Sequence, residues 1–266
     1  MPGPSADRVR AILLDIEGTT TPVDFVHKTL FSFARQRMQA FLQDHWAGPS
    51  VRSDDVRSDI DGLRNQHRLD SEKSPQPPVW REDLDSVLAY LNWLMDGDSK
   101  CTPLKSLQGK IWQAGYTSGD LRSEIFADVY PAFVRWSAQK KIISIFSSGS
   151  VLAQQLLFAN TKNGDLTRFI RAYFDTTTGP KRDPGSYRKI AGALGLDAPN
   201  ILFISDTVEE LDAAHLALME TALCVRDVNV PSANTNHKLI RTFDGLVENS
   251  LSKCGDLDTP STSRSQ

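Results

Sequence analysis

The chain has 266 residues, of which 40% are hydrophobic, enough for one sizeable core and a smaller accessory domain. Its 30 basic and 33 acidic residues give a formal net charge of -3, so we expect no nucleic-acid partner and only local groups to attract an anionic substrate. Three cysteines without a Cys-x-x-Cys pair argue against a disulfide framework or a zinc site. No apolar run is long enough to span a membrane and no secretion signal is evident, so a cytoplasmic protein is expected.

Four short runs are apolar, with Ser144 as the single polar residue, which is typical of strands buried on both faces of a parallel sheet. They are Ala11–Leu14, Ile142–Phe146, Ile201–Ile204 and Ala222–Val225, with Ala172–Phe174 as a weaker fifth candidate. Helical patterns lie between the later runs: Ser150 is predicted to cap one helix, and Asp183 and Pro184 to begin another that ends at Gly195. This alternation predicts a doubly wound, Rossmann-like α/β domain.

The stretch between the first two strands is too long for one crossover connection. Apolar residues recur there at helical spacing in three segments, which begin near Val26, Leu84 and Leu104. We therefore predict an inserted helical domain. The predicted bounds are 23–125 for this insert, 1–22 and 126–250 for the discontinuous core domain, and 251–266 for a polar, disordered tail.

The segment from Gly48 to Pro78 is charged and ends in three prolines. We interpret it as a surface excursion or a mobile loop.

Polar side chains follow three of the predicted strands. Asp15 follows the first, Ser147 and Ser148 the second, and Asp206 the third. Because ligands of open α/β sheets bind outside the carboxyl ends of the strands, we expect these groups at one rim. Two neighbouring carboxylates require a cation, and oxygen ligands suit Mg²⁺. Either aspartate alone could instead be a turn or helix cap, and the serines ordinary N-caps.

Three further charged residues are candidates for the same site. Lys181 precedes a helix and could neutralise both a phosphate and Asp15, although Arg182 could take that role and a solvated surface lysine is a plain alternative. Glu17 lies two residues beyond Asp15, on the same side of an extended strand, where it could act as an acid or base.

The pattern resembles the haloacid-dehalogenase superfamily. That family has a nucleophilic Asp after the first strand, a Ser or Thr after the second, a Lys before a helix and acidic residues after the fourth. Asp15, Ser147, Lys181, and Asp206 with Glu210 match these places, and the insert is similar to the family's helical cap.

One branch of the superfamily is matched more closely, the enolase-phosphatases (acireductone synthases) of methionine salvage. The segment Asp15–Pro22 is similar to its signature, and this branch has Glu two residues after the nucleophile, where most of the superfamily's phosphatases have Asp. The similarity covers about residues 10–230 and includes Leu107–Trp112, Phe126–Val129, Ser147–Val151, Tyr173–Thr176 and Ser186–Ala191.

The resemblance implies a substrate, 2,3-diketo-5-methylthiopentyl 1-phosphate. The enzyme would enolise it and remove the phosphate, giving 1,2-dihydroxy-3-keto-5-methylthiopentene, an acireductone. Alternatives are a generic phosphatase for small sugar phosphates, a dehalogenase, and a silent binding module.

The resemblance also implies roles for single residues. One Mg²⁺ per chain would bind the carboxylates of Asp15 and Asp206 and the backbone carbonyl of Glu17. Asp15 would be the nucleophile, and Glu17 the acid and base and the candidate base for enolisation. The remaining expectations are that Ser147, Ser148 and Lys181 hold the phosphate, that Glu210 orients Lys181 or a metal-bound water, and that the chain is a monomer. Phe25, Trp112 and Tyr116 are candidate contacts for the thioether tail, with burial in the core as the simpler interpretation.

Overall fold

The computed structural model describes residues 8–47, 50–51, 54–226 and 235–247. The tail predicted to be disordered, residues 251–266, lies outside the described residues.

In the part of the chain that the structure describes, six parallel strands form the central sheet. They are β1 (Ala11–Leu14), β2 (Ile142–Phe146), β3 (Ile170–Phe174), β4 (Ile201–Ser205), β5 (Glu220–Cys224) and β6 (Lys238–Ile240). Their order is β3-β2-β1-β4-β5-β6, which confirms the predicted α/β fold and puts the switch in strand order between β1 and β4. The sequence did not predict β6, because this edge strand begins with two exposed residues.

The chain between β1 and β2 is helical, as the three apolar periods predicted. A π-helical segment, Phe25–Phe31, leads directly into the first α-helix, and a two-residue antiparallel pair, Trp46–Ala47 with Ser50–Val51, precedes the second. The helices are α1 (Ser32–His45), α2 (Asp54–Asp70), α3 (Leu84–Asp96) and α4 (Thr102–Ser118).

Our interpretation of Gly48–Pro78 as a surface excursion or loop was wrong, because α2 occupies most of this segment. Val56, Ile60 and Leu63 are buried at helical spacing, but the stripe is narrow and the rest of the helix is polar. A salt bridge of 2.5 Å from Asp59 Oδ2 to Lys110 Nζ joins α2 to α4. Contacts with neighbouring helices therefore stabilise a helix whose composition resembles a loop.

The remaining helices cover both faces of the sheet. Helices α5 (Val129–Ala138) and α6 (Val151–Ala159) pack with Ile12 and Leu14 of β1, and helices α7 (Pro184–Leu194) and α8 (Val208–Leu216) pack with Ala11 and Leu13. Successive β1 residues thus enter different cores, which explains the uninterrupted apolar run.

The predicted helix ends are also observed. Ser150 Oγ accepts a hydrogen bond from Ala153 N, Asp183 Oδ1 accepts one from Gly185 N, and Gly195 ends α7 at a φ of 66°. No helix in the described residues is both long and apolar enough to cross a membrane.

Candidate active site

Asp15 follows β1 directly and is only 2% exposed. Its backbone N–H donates to Ile204 O, and its Oδ1 accepts from the N–H of Ile16 at 2.7 Å. The chain then turns at Gly18, whose φ is 66°, and the amides of Thr20 and Thr21 both donate to Ile16 O at 2.9 Å. The buried strand and this tight turn fix the Asp15 carboxylate at the rim of the sheet.

Lys181 is the cation that contacts Asp15. Its Nζ lies 2.7 Å from Asp15 Oδ1 and 2.6 Å from Glu210 Oε2. Glu210 belongs to the first turn of α8. Burial alone would lower the pKa of Lys181, but these two carboxylates outweigh it and raise that pKa above its usual value. Arg182, the alternative from the sequence, is exposed. The structure thus brings three of the predicted residues into direct contact.

Ser205 is a member of this cluster that our sequence analysis did not single out. It is the last residue of β4 and fully buried, and its Oγ lies 3.0 Å from Asp15 Oδ2 and 3.1 Å from Glu210 Oε2. The signal was present, since Ser205 directly precedes Asp206 at a predicted strand end. Burial, with repulsion from Asp15, raises the pKa of Glu210 to about 7, so this cluster can retain a proton near neutral pH.

Two more carboxylates crowd the same rim. Burial, followed by repulsion from Asp15, raises the pKa of both Glu17 and Asp206. The Asp206 carboxylate lies against the backbone of Gly18, in the space that a methyl group at position 18 would fill. Four carboxylates therefore lie at this rim, and Lys181 directly contacts two of them, Asp15 and Glu210.

This donor set fits a hard divalent cation. The ligands on offer are carboxylate and carbonyl oxygens, without nitrogen or sulfur, as Mg²⁺ prefers. Burial and then repulsion from Asp15 raise the pKa of Asp206, and a cation beside these two carboxylates would favour their charged forms.

The serines after β2 form a loop that opens α6. Ser147 is 1% exposed, and its Oγ accepts from Gly149 N at 3.1 Å. A second residue that the sequence analysis missed contacts this loop: Lys105 of α4, whose Nζ donates to Ser148 O at 3.0 Å. A cation from the inserted helices thus reaches the candidate phosphate loop.

A cavity of about 640 Å³ lies between the sheet rim and the inserted helices. Glu17, Ser147 and Ser148 line it from the rim, and Trp112 lines it from α4. Phe25 and Tyr116, the other candidate tail contacts, are buried and do not line this cavity. A volume of this size suits a small organic molecule.

The strand order of the sheet and the polar groups at its strand ends define a hydrolase of the haloacid-dehalogenase superfamily. In particular, the aspartate after β1 is paired with a lysine that precedes α7. Comparisons with known proteins narrow this class. Enolase-phosphatase E1 of Synechococcus elongatus is 47% identical over 239 residues, which are 90% of this chain and 98% of the relative. Enolase-phosphatase E1 of Sorangium cellulosum is 47% identical over 238 residues, 90% of this chain and 97% of the relative. The chain belongs to the enolase-phosphatase E1 family.

Two solved structures share the fold. The crystal structure of the UTR4 protein from Saccharomyces cerevisiae has a TM-score of 0.72 at 31% identity and covers 90% of this chain and 100% of that chain. CbbY from Rhodobacter sphaeroides, in complex with phosphate, has a TM-score of 0.55 at 14% identity. The match covers 90% of this chain and 96% of CbbY, and it shows a shared fold alone. No protein-family model matches the chain.

Proposed function

We propose that the chain converts 2,3-diketo-5-methylthiopentyl 1-phosphate to the acireductone and phosphate in methionine salvage. The observation that carries the proposal is the pairing of buried Asp15 with Lys181, next to a cavity that Ile16 and Glu17 line. A buried carboxylate held by a cation is a poised nucleophile, and a second carboxyl at the cavity wall supplies an acid or base.

Four carboxylates at one rim, of which Lys181 directly contacts two, support a magnesium site, with one ion per chain. The carboxylates of Asp15 and Asp206 and the backbone carbonyl of Glu17 would hold the ion. When bound, it would mask negative charge near the phosphate and polarise a substrate oxygen.

In the phosphatase step, Asp15 attacks phosphorus and the C1–O–P bridge oxygen leaves with its electron pair, which gives an aspartyl-phosphate. Lys181 and the loop of Ser147 and Ser148 stabilise the phosphoryl oxygens. Glu17 gives its proton to the leaving oxygen and then takes one from the water that hydrolyses the intermediate. Glu210, through its contact with Lys181, keeps that ammonium in place.

Enolisation precedes this step. The acireductone has a double bond at C1, so the substrate must lose a C1 proton while its C2 carbonyl becomes an enol. Glu17 lines the cavity and is the base that we assign to this proton. Its extra methylene relative to Asp extends its reach toward carbon.

The test is incubation of the purified protein and Mg²⁺ with the diketo phosphate, following the ultraviolet absorbance of the conjugated enediol and the released phosphate. The wild-type protein should produce both, and Asp15→Asn should release no phosphate. Enediol-free hydrolysis of sugar phosphates by the wild type would favour the generic phosphatase instead. An unchanged enolisation rate in Glu17→Asp would remove Glu17 as the base.

The organisation of the chain is part of the same proposal. Residues 23–125 would act as a cap over a core built from 1–22 and 126–250. We propose a cytoplasmic monomer, with a nuclear pool if the source is eukaryotic, which sedimentation and cell fractionation can test.

A further inference from the structure

Helix α4 turns one face toward the cavity. Leu104, Lys105, Gln108 and Trp112 share that face and line the cavity wall. The Lys105 end contacts the loop of Ser148, whereas Trp112 uses its only donor on Leu30 O at 2.8 Å. The face therefore runs from a cationic end at the phosphate loop to an apolar end.

Gln108 lies between these ends with its amide unpaired. The residue is 6% exposed, and its side chain makes no hydrogen bond with any residue that the structure describes. Gln154 also lines the cavity, but its Nε2 donates to Gly149 O and Phe174 O, both at 2.9 Å. Because Gln108 lines the cavity, a polar group of a bound ligand can pair with its amide.

The two lysines that line the cavity are already engaged. Lys105 donates to Ser148 O, and Lys100 lies 2.6 Å from Asp98 Oδ1. Gln108 also lines the cavity but differs from them, since its amide has no partner among the described residues.

The spacing along α4 matches the substrate. From Lys105 to Trp112 the helix rises about 10 Å at 1.5 Å per residue. The eight bonds from phosphorus to the terminal methyl of the diketo phosphate span about 9–10 Å when extended. With the phosphate at the Ser148 loop, the C2 and C3 carbonyls lie about 4–5 Å along the chain, and Gln108 is three residues, about 4.5 Å, beyond Lys105.

We propose that the Gln108 amide donates a hydrogen bond to the C2 carbonyl oxygen and stabilises the enolate. This inference rests on the proposed function. The base takes the C1 proton, the C1–H electron pair forms the C1–C2 double bond, and the carbonyl π pair moves to the C2 oxygen. That oxygen gains negative charge in the transition state, so the hydrogen bond strengthens there and acts on kcat.

The test compares two glutamine-to-methionine changes on the same helix, Gln108→Met and, as a matched control, Gln113→Met, whose side chain is exposed. We expect kcat for enediol formation to fall about 100-fold in Gln108→Met, the usual effect of losing one oxyanion donor, and to stay at the wild-type value in Gln113→Met. Hydrolysis of p-nitrophenyl phosphate, which has no carbonyl, should fall far less in Gln108→Met. Its melting temperature should not drop, because no hydrogen bond within the protein is lost.

Three results would overturn the inference: enediol formation at the wild-type rate in Gln108→Met, an equal fall on both substrates, or a rise in KM alone. Failure of the wild-type protein itself to form the enediol would refute the proposed function, and the role of Gln108 with it.

Discussion

Removing the hydroxyl of Ser205 tests whether the buried cluster at the strand ends orients the nucleophile. In Ser205→Ala, Asp15 keeps its contacts with Lys181 and with the N–H of Ile16 but loses the partner that lies 3.0 Å from its second oxygen. Glu210 loses a partner at 3.1 Å as well. Thr207 also loses the acceptor of its backbone N–H, which lies 3.1 Å from Ser205 Oγ. A hydroxyl has one proton and donates to one of these carboxylates at a time, so of the contacts to the carboxylates the change removes one charged hydrogen bond.

The size of the effect follows from that single bond. A hydrogen bond to a charged group is worth about 1.5–3 kcal/mol. Because about 1.4 kcal/mol changes a rate tenfold, the kcat for phosphate release should fall about 10- to 100-fold if the bond holds Asp15 for in-line attack.

The assay is steady-state hydrolysis of an aryl phosphate, with the melting temperature measured in parallel. Ser144→Ala is the matched control: Ser144 lies fully buried on β2, and its hydroxyl has no partner among the described residues. It should keep the wild-type kcat. If Ser205→Ala were as active as Ser144→Ala, the claim that this hydroxyl orients Asp15 would be refuted.

Two other substitutions test the rim and the inserted helices. In Gly18→Ala, the left-handed backbone costs about 1–2 kcal/mol of stability, and the new methyl group overlaps the Asp206 carboxylate. The Mg²⁺ concentration needed for half-maximal activity should therefore rise. An unchanged Mg²⁺ dependence would contradict the assignment of Asp206 as a metal ligand. In Tyr90→Phe, the loss of the 2.7 Å bond to buried Asp70 should cost about 1.5–3 kcal/mol of unfolding free energy at neutral pH. Burial alone would raise the pKa of Asp70, but hydrogen bonds from Lys73, Tyr90 and a neighbouring amide hold it below its usual value. A carboxyl whose pKa is lowered in the folded state stabilises the fold at pH values above its unfolded-state pKa, and this stabilisation is lost as the pH falls. The loss of unfolding free energy in Tyr90→Phe, measured by urea unfolding, should therefore become smaller as the pH falls through the acidic range. A loss that does not change with pH would refute this linkage.

The sheet could be predicted from the sequence because its inner strands are buried on both faces. The apolar runs at Ala11–Leu14 and Ile142–Phe146 coincide with β1 and β2. Helix α2 could not be predicted in the same way, since only a narrow stripe is apolar and its salt bridge to α4 is a tertiary contact. The candidate site was predictable to a similar extent. The residues at strand ends could be identified from the sequence, whereas Lys105 could not, because it reaches the phosphate loop from a distant helix.

The turn that carries Glu17 is held by the core rather than by the inserted helices. Arg226 donates from Nε and Nη2 to Thr19 O at 2.9 and 2.7 Å, and its guanidinium lies 4.4 Å from the centre of the Phe126 ring. The backbone N–H of Phe126 donates to Thr20 O at 3.0 Å. The chain segments on either side of the helices between β1 and β2 therefore meet at this turn. Because these bonds tie the turn to core elements, substitutions on the cavity face of α4 can alter substrate recognition without displacing the groups that we assign to the chemistry.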